Sequence, residues 1–358
     1  MKITLDLLYE LLGVERHWAP FTLLRNARTV RGHLPPLVLS VARGEGAEMG
    51  PGSLAELDRM ERRAAVYRTI AEDLTASPGT RVLKGPSLAA RYPRGVLRPL
   101  GDLDVVVPDE VHLWRAASRV LTDWPVDHMD LTVLHTAGTR HTALALCWPS
   151  EDPMLDPELK VEICTFAYPG DSGGVPLRAG TPTEQVLVDL LALAEERFQR
   201  PFTVKDVLDV AVVLTSPDLP PLAAVVRAAD RFRLTPELLE LCRAVLEVRS
   251  LACTVPGGLI RALEEAAPVE QDRRRAGARP ATAPAGTVRE RLDAGLPAYG
   301  MLLRSADTPA TDTCAVVEDF SAGTLLRTPI GDFLLVDGEI VDPELYEAAL
   351  AAVGETAR

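Results

Sequence analysis

Between Thr80 and Phe166 the chain offers five short strand-like runs, and between Gly180 and Ala266 it offers only helical ones. That change of texture constrains the fold more than any other feature. The runs are TRVLKG, Leu100 to Val107, HMDLTVLH, HTALALCWP and LKVEICTF, bounded by Gly, Pro and Asp clusters. Helices are expected among them: residues 54–75 behind a capping box Ser53-Leu-Ala-Glu56, PSLAARYP opened by Pro86, and Asp109 to Leu121. After Gly180, Thr181-Pro-Thr-Glu184, Thr203 and Thr235-Pro236 each start a helix with a periodic apolar face. Ala267 to Thr287 is rich in Pro, Ala, Gly and Arg and reads as a linker. Beyond it lie a small β-rich tail, with Asp337-Gly338 as a type I′ hairpin turn, and a last helix from Pro343. The expected class is α+β, a mixed sheet with flanking helices followed by a helical bundle and that tail. The parse is 1–53 an N-terminal helical segment in which HLPPLVLSVARG breaks the pattern, 54–180 an α/β domain, 181–266 a helical domain, 267–287 a linker, and 288–358 the β-rich region.

At 358 residues and 47% hydrophobic, the chain can fill real cores. Its net charge of −13 argues against a broad grip on nucleic acid or anionic lipid, both of which need clustered cations. The one dense basic run, Arg273 to Arg275, falls in the linker-like stretch and reads as solvated. Asp6 and Glu10 interrupt the apolar N-terminus and spoil a signal-peptide core, and no run is long enough to span a membrane. Cys147, Cys164, Cys242, Cys253 and Cys314 are scattered, without a CxxC pair, so neither a disulfide framework nor a zinc site is expected; a reducing cytoplasm fits. Of 38 basic residues only Lys2, Lys84, Lys160 and Lys205 are lysine. Where arginine serves as the general cation, a lysine marks a place that wants a compact point charge.

In LRPLGDLDVVVPD, a strand places Asp102 and Asp104 on one face and Leu103 and Val105 on the other. Two carboxylates about 7 Å apart at Cα repel unless a cation or proton sits between them. They read either as solvated acids or as ligands of Mg²⁺, which takes acidic oxygens and completes its shell with phosphate. Upstream, Lys84-Gly85 closes a strand just before a helix containing Ser87, a turn at which backbone can approach phosphate. Downstream, Glu162 alternates with Val161 and Ile163, either as a surface acid beside Lys160 or as a third carboxylate.

Together VLKGPSLAARYPRGVLRPLGDLDVVVP, KVEICTF and TVKDVLDVAVVL resemble the uncharacterised nucleotidyltransferase family of the polymerase-beta-like nucleotidyltransferase superfamily, over residues 54–215. The resemblance implies that fold and transfer of an NMP, AMP foremost, from an NTP to a hydroxyl or carboxylate, with release of pyrophosphate. It also implies two Mg²⁺ ions on Asp102, Asp104 and Glu162, with Glu162 activating the acceptor. It implies further that Gly85 and Ser87 cradle the triphosphate, that Lys84 is a nucleotide-binding residue, that Arg98 faces phosphate charge, and that Lys205 and Asp206 reach toward the nucleotide from the bundle. Pro86 stands between Gly85 and Ser87, and Cys164 stands where relatives often carry histidine; the latter reads as a buried small hydrophobe. The expected partners are a nucleoside triphosphate and a small-molecule, peptide or protein acceptor, without nucleic acid or membrane. Two rivals are an aminoglycoside-type antibiotic nucleotidyltransferase, drawn by the acidic charge, and a catalytically silent nucleotide-binding scaffold. His128, His135 and His141 lack metal spacing, and Trp114, Trp124 and Trp148 read as core anchors.

Overall fold

A computed structural model describes residues 1–30, 33–136, 138–171, 173–277, 286–306, 313–338 and 340–356. It is α+β, with a nine-stranded mixed sheet among the described residues. The strands are β1 (Arg81–Leu83), β2 (Leu103–Val106), β3 (His128–Thr136), β4 (Thr139–Trp148), β5 (Leu159–Cys164), β6 (Ala298–Ser305), β7 (Val316–Phe320), β8 (Gly323–Thr328) and β9 (Gly331–Val336), in the spatial order β1-β2-β5-β4-β3-β6-β9-β8-β7. The chain divides into two compact units that are discontinuous in sequence. One comprises residues 1–69, 82–103 and 168–279, the other 70–81, 104–167 and 280–358.

The first unit is helical. α1 (Leu5–Leu11), α2 (Pro20–Thr29) and α3 (Pro35–Gly44) precede α4 (Pro51–Thr75), which belongs to this unit up to Thr69. A single turn, α5 (Pro86–Ala89), comes next in this unit; α6 (Glu110–Asp123) belongs to the other. A bundle follows: α7 (Gln185–Glu195), α8 (Val204–Leu214), α9 (Leu222–Arg231), α10 (Thr235–Glu247) and α11 (Gly257–Gly277). α7 is buried on every side from Val186 to Glu195, as its nearly unbroken apolar sequence requires. α8 opens on a reciprocal capping box between Thr203 and Asp206.

In the second unit β3 pairs antiparallel with β4, β4 with β5, β3 with β6, β6 with β9, and β8 with both β7 and β9. α6 packs on β4 and β5, and its N-cap Asp109 accepts from the His112 amide at 3.0 Å. α12 (Val288–Asp293) lies against β3, β6 and β8, and α13 (Pro343–Thr356) against β6, β8 and β9. Ala349 and Val353 of α13 close a small core with Leu325, Leu334 and Val336.

Several local expectations change. α4 starts at Pro51 rather than behind Ser53, because proline at the first helical position brings a helical φ and lacks only an N–H that would be unsatisfied there anyway. The prolines of HLPPLVLSVARG likewise begin a helix, α3. α7 begins after Glu184, without a side-chain cap from the Thr181 segment. β2 is shorter than expected and leaves Asp102 outside the ladder, so strand alternation does not orient that side chain. The first half of the expected linker is helical: α11 runs through Pro268 to Gly277, while 278–285 lie outside the described residues. The reason is tertiary: Glu270, fully buried, accepts from Arg233 and Arg274 at 2.7 and 3.0 Å, and Arg274 also binds Glu237. Arg274 in the basic run is therefore half-buried and paired rather than solvated. Asp337-Gly338 turns no hairpin. In the C-terminal region the two-residue turns among the described residues are Ser321-Ala322 and Pro329-Ile330, and β9 is followed by α13. The C-terminal strands extend the same sheet, β6 pairing with β3.

Candidate functional site

In the first unit, Gly85 and Lys205 of the set that the sequence offered for nucleotide meet at a buried ion pair made by a third, Arg98. Lys84 adopts φ +48° and Gly85 φ +62°, ψ −121°, a backbone that glycine alone adopts at low cost. The turn lies against the chain just before β2: a β-carbon on Gly85 would stand 3.6 Å from the Asp102 carbonyl oxygen. Arg98, 3% exposed, sends Nε and Nη2 to the two carboxylate oxygens of Asp209 at 2.7 and 2.8 Å, and its Nη1 comes within 3.4 Å of the Gly85 carbonyl. The Tyr92 hydroxyl donates to Asp209 at 2.6 Å, and the Lys205 ammonium stands 3.5 Å from the same carboxylate. Lys84 pairs with Glu196, which also takes Arg200 at 2.9 Å.

The electrostatics follow from burial and partners. Burial pushes the Asp209 carboxyl up, but Arg98 and Lys205 outweigh it and bring it down to about 2. Burial pulls the Arg98 guanidinium down, and Asp209 overcomes it, so the net direction is up. Lys205 is lowered, first by burial and then by the Arg98 charge, with Lys84 adding to it and Asp209 and Asp206 opposing.

Other residues of the expected set have different duties. Arg98 does not face an open phosphate position, because Asp209 occupies its fork. The Ser87 hydroxyl donates to Asp189 at 2.5 Å, and α5, in which it lies, is a single turn. Asp206 is buried at the start of α8, where Arg200 holds it at 2.6 and 3.0 Å and the Thr203 amide donates to it. It is a helix cap, and this fixes Lys205 beside it. Asp102 is exposed immediately before β2.

In the second unit Asp104, half-buried on β2, and Glu162, half-buried on β5, lie on neighbouring strands. The Val107 amide donates to the Cys164 carbonyl at 2.9 Å and ties the end of β2 to β5. Glu162 pairs with Lys160 at 2.9 Å, and Cys164 Sγ stands 3.6 Å from it. Burial, then Glu162 and Asp104, push the Cys164 thiol up, so it stays protonated, a buried hydrophobe as expected. The carboxylates are hard oxygen donors of the kind Mg²⁺ prefers. Yet among the described residues no three His, Cys, Asp or Glu side chains are grouped to hold a metal, and Glu162 is engaged by Lys160. His141 is buried edge-on to Phe166, and Trp124 stacks on Trp148 at 5.8 Å.

Sequence reasoning missed Asp209, Tyr92, Asp189 and Glu196. The first two acids carry a signal: each stands among aliphatic residues inside a helix, VLDVAVVL in α8 and VLVDLLALA in α7, where a buried acid needs a partner. Tyr92 and Glu196 carry none. The chain matches no known family profile, no characterised protein and no solved structure. Among the described residues no helix is long and apolar enough to cross a membrane.

Proposed function

We propose that the chain is a nucleotidyltransferase that moves an NMP, AMP foremost, from a nucleoside triphosphate to an acceptor hydroxyl or carboxylate. The acceptor oxygen attacks the α-phosphorus, the bond to the bridging oxygen of the β-phosphate breaks, and pyrophosphate leaves; a hydroxyl acceptor also gives up its proton. The observation that carries the reading is the convergence of Gly85 and Lys205 on the Arg98–Asp209 pair, with Lys84 near enough for its charge to act on Lys205 and the Gly85 turn packed against Asp102. Two compact ammoniums beside a glycine turn suit a phosphate chain, which would compete with Glu196 for Lys84 and with Asp209 for Lys205. The proposal assigns no step to Mg²⁺, because among the described residues no three His, Cys, Asp or Glu side chains are grouped to hold a metal. With net charge −13, the acceptor is a small molecule, peptide or protein rather than nucleic acid.

The test is incubation of the full chain with each of the four ribonucleoside triphosphates, Mg²⁺ and a panel of metabolites, aminoglycosides and peptides. Pyrophosphate release and a nucleotide adduct by mass spectrometry are expected. Neither product with any triphosphate refutes the reading. The engagement of Glu162 by Lys160 favours one alternative, a silent nucleotide-binding scaffold. That alternative gives binding without pyrophosphate in the same experiment.

A further inference from the structure

We infer that Arg98 and Asp209 are positioning residues, which lock the Lys84–Gly85 turn to α8 and hold the Lys205 ammonium where a phosphate chain would meet it. The inference rests on the nucleotide reading above and adds how that site is held in shape.

The geometry carries it. Arg98 reaches two ways: its fork is closed on Asp209 in α8, and its remaining nitrogen approaches the Gly85 carbonyl within 3.4 Å and the Pro99 carbonyl within 3.5 Å. Asp209 in turn has three partners, since one carboxylate serves Arg98, the Tyr92 hydroxyl and Lys205. Tyr92 follows closely after α5, so the glycine turn and the residue just beyond its helix are tied to the same carboxylate. A planar, two-bond contact fixes orientation as well as distance, which a single-point pair does not. Neither residue is placed to touch a ligand, because both side chains are almost wholly buried.

Lys205 is the group through which this device can be read. Facing it are Asp209 and Asp206 from its own helix, Arg98 from the segment before β2 and Lys84 from the glycine turn. Beyond these stand Glu196 on Lys84, Arg200 on Asp206 and the Tyr92 hydroxyl on Asp209. Two cations oppose its charge and two carboxylates support it, with Asp209 the stronger support. Removing the Asp209 charge therefore lowers the pKa of Lys205 further, and the ammonium is lost earlier as pH rises.

The test compares wild type with Asp209→Asn by measuring ATP dissociation constants calorimetrically without metal, from about pH 7.5 to about pH 9.5. The ratio of the variant's dissociation constant to that of wild type cancels the titration of ATP itself. The ratio is expected to rise with pH, about tenfold for each pKa unit by which Lys205 falls. The rise should vanish when Lys205→Met is present in both proteins. A ratio that is flat with pH overturns the inference, because a purely structural defect does not follow a lysine's titration. ATP failing to bind wild type at every pH removes the nucleotide reading and this inference with it. Should Asp209→Asn not fold, the four lysines of the wild-type chain provide a second measurement. Acylation read by peptide mass spectrometry should show ATP protecting Lys84 and Lys205 together, with Lys2 and Lys160 unchanged. Protection of only one of the first two, or of neither, overturns the inference.

Discussion

Arg98→Met asks how much of the first unit's stability rests on one buried ion pair. Arg98 is 3% exposed and Asp209 wholly buried, and two bonds of 2.7 and 2.8 Å join them. Methionine fills much of the arginine stem but leaves Asp209 with only the Tyr92 hydroxyl at 2.6 Å and Lys205 at 3.5 Å. Breaking a buried pair from one side costs about 3–5 kcal/mol. The surviving contact with Lys205 offsets part of that, so the expected loss at neutral pH is about 3 kcal/mol, a large share of a total near 5–15 kcal/mol.

The pH dependence distinguishes this mechanism from a simple packing defect. In wild type Asp209 is depressed to about 2, so the pair's contribution is present above the ordinary carboxylate range and is lost only as pH falls toward that value. In the variant, burial is no longer outweighed by the guanidinium, and the carboxyl rises above its unfolded value. The penalty is then fully present above that raised pKa and shrinks as pH falls through it. Urea unfolding followed by circular dichroism at about pH 7 and about pH 5 should give a larger difference from wild type at the higher pH. Adding Asp209→Leu should recover much of the loss, since an apolar pair of similar volume removes the stranded charge. A loss below about 1 kcal/mol, an equal loss at both pH values, or a double variant no better than the single one refutes the reasoning.

Gly300→Ala places a β-carbon 2.8 Å from Leu131 Cδ2 and 3.3 Å from Phe333 Cβ, at the joint of β3, β6 and β9. Overpacking there should cost about 1–3 kcal/mol, and a melting temperature equal to wild type would show that the joint is looser than these distances imply. Glu270→Ala strips the acid shared by Arg233, Arg273 and Arg274 at a wholly buried position, with an expected loss of about 3 kcal/mol by urea unfolding. An unchanged midpoint would mean that α11 is held by its apolar face alone. Gly85→Ala meets only the Asp102 carbonyl oxygen, at an ordinary 3.6 Å, so its cost is conformational, about 1–3 kcal/mol, from φ +62°, ψ −121°. It should weaken ATP binding together with stability, and full retention of both would show that the turn relaxes freely.

The sequence made most elements legible because their signals are local. Val161 and Ile163 alternate with Lys160 and Glu162 in β5, and the Thr203–Asp206 box starts α8 where it stands in the text. Lysine scarcity singled out Lys84 and Lys205, which are distant in sequence and yet near enough in the first unit for the charge of one to act on the other. The failures share a cause. Ala267 to Gly277 has a linker's composition, yet it is helical because the buried Glu270 finds half-buried cations on the segment after α9 and in α11 itself. Asp337-Gly338 has the residues of a hairpin turn, yet among the described residues no strand follows it to pair with β9.

What the sequence determined by itself was the set of elements and the kinds of side chain placed near each turn, because periodicity, caps and glycine turns act over a few residues. What only the tertiary structure decided was the partner of each charge. Arg98 and Asp209 lie 111 positions apart, and nothing local distinguishes an arginine that meets a phosphate from one that meets a buried carboxylate. The same holds for Ser87, claimed by Asp189, and for Glu162, held by Lys160 only because β5 leaves both on one face. Burial decides these pairings, since an ionised group removed from water must be neutralised by whatever the fold brings within reach. Which groups come within reach depends on how distant segments pack, and only the folded chain contains that information.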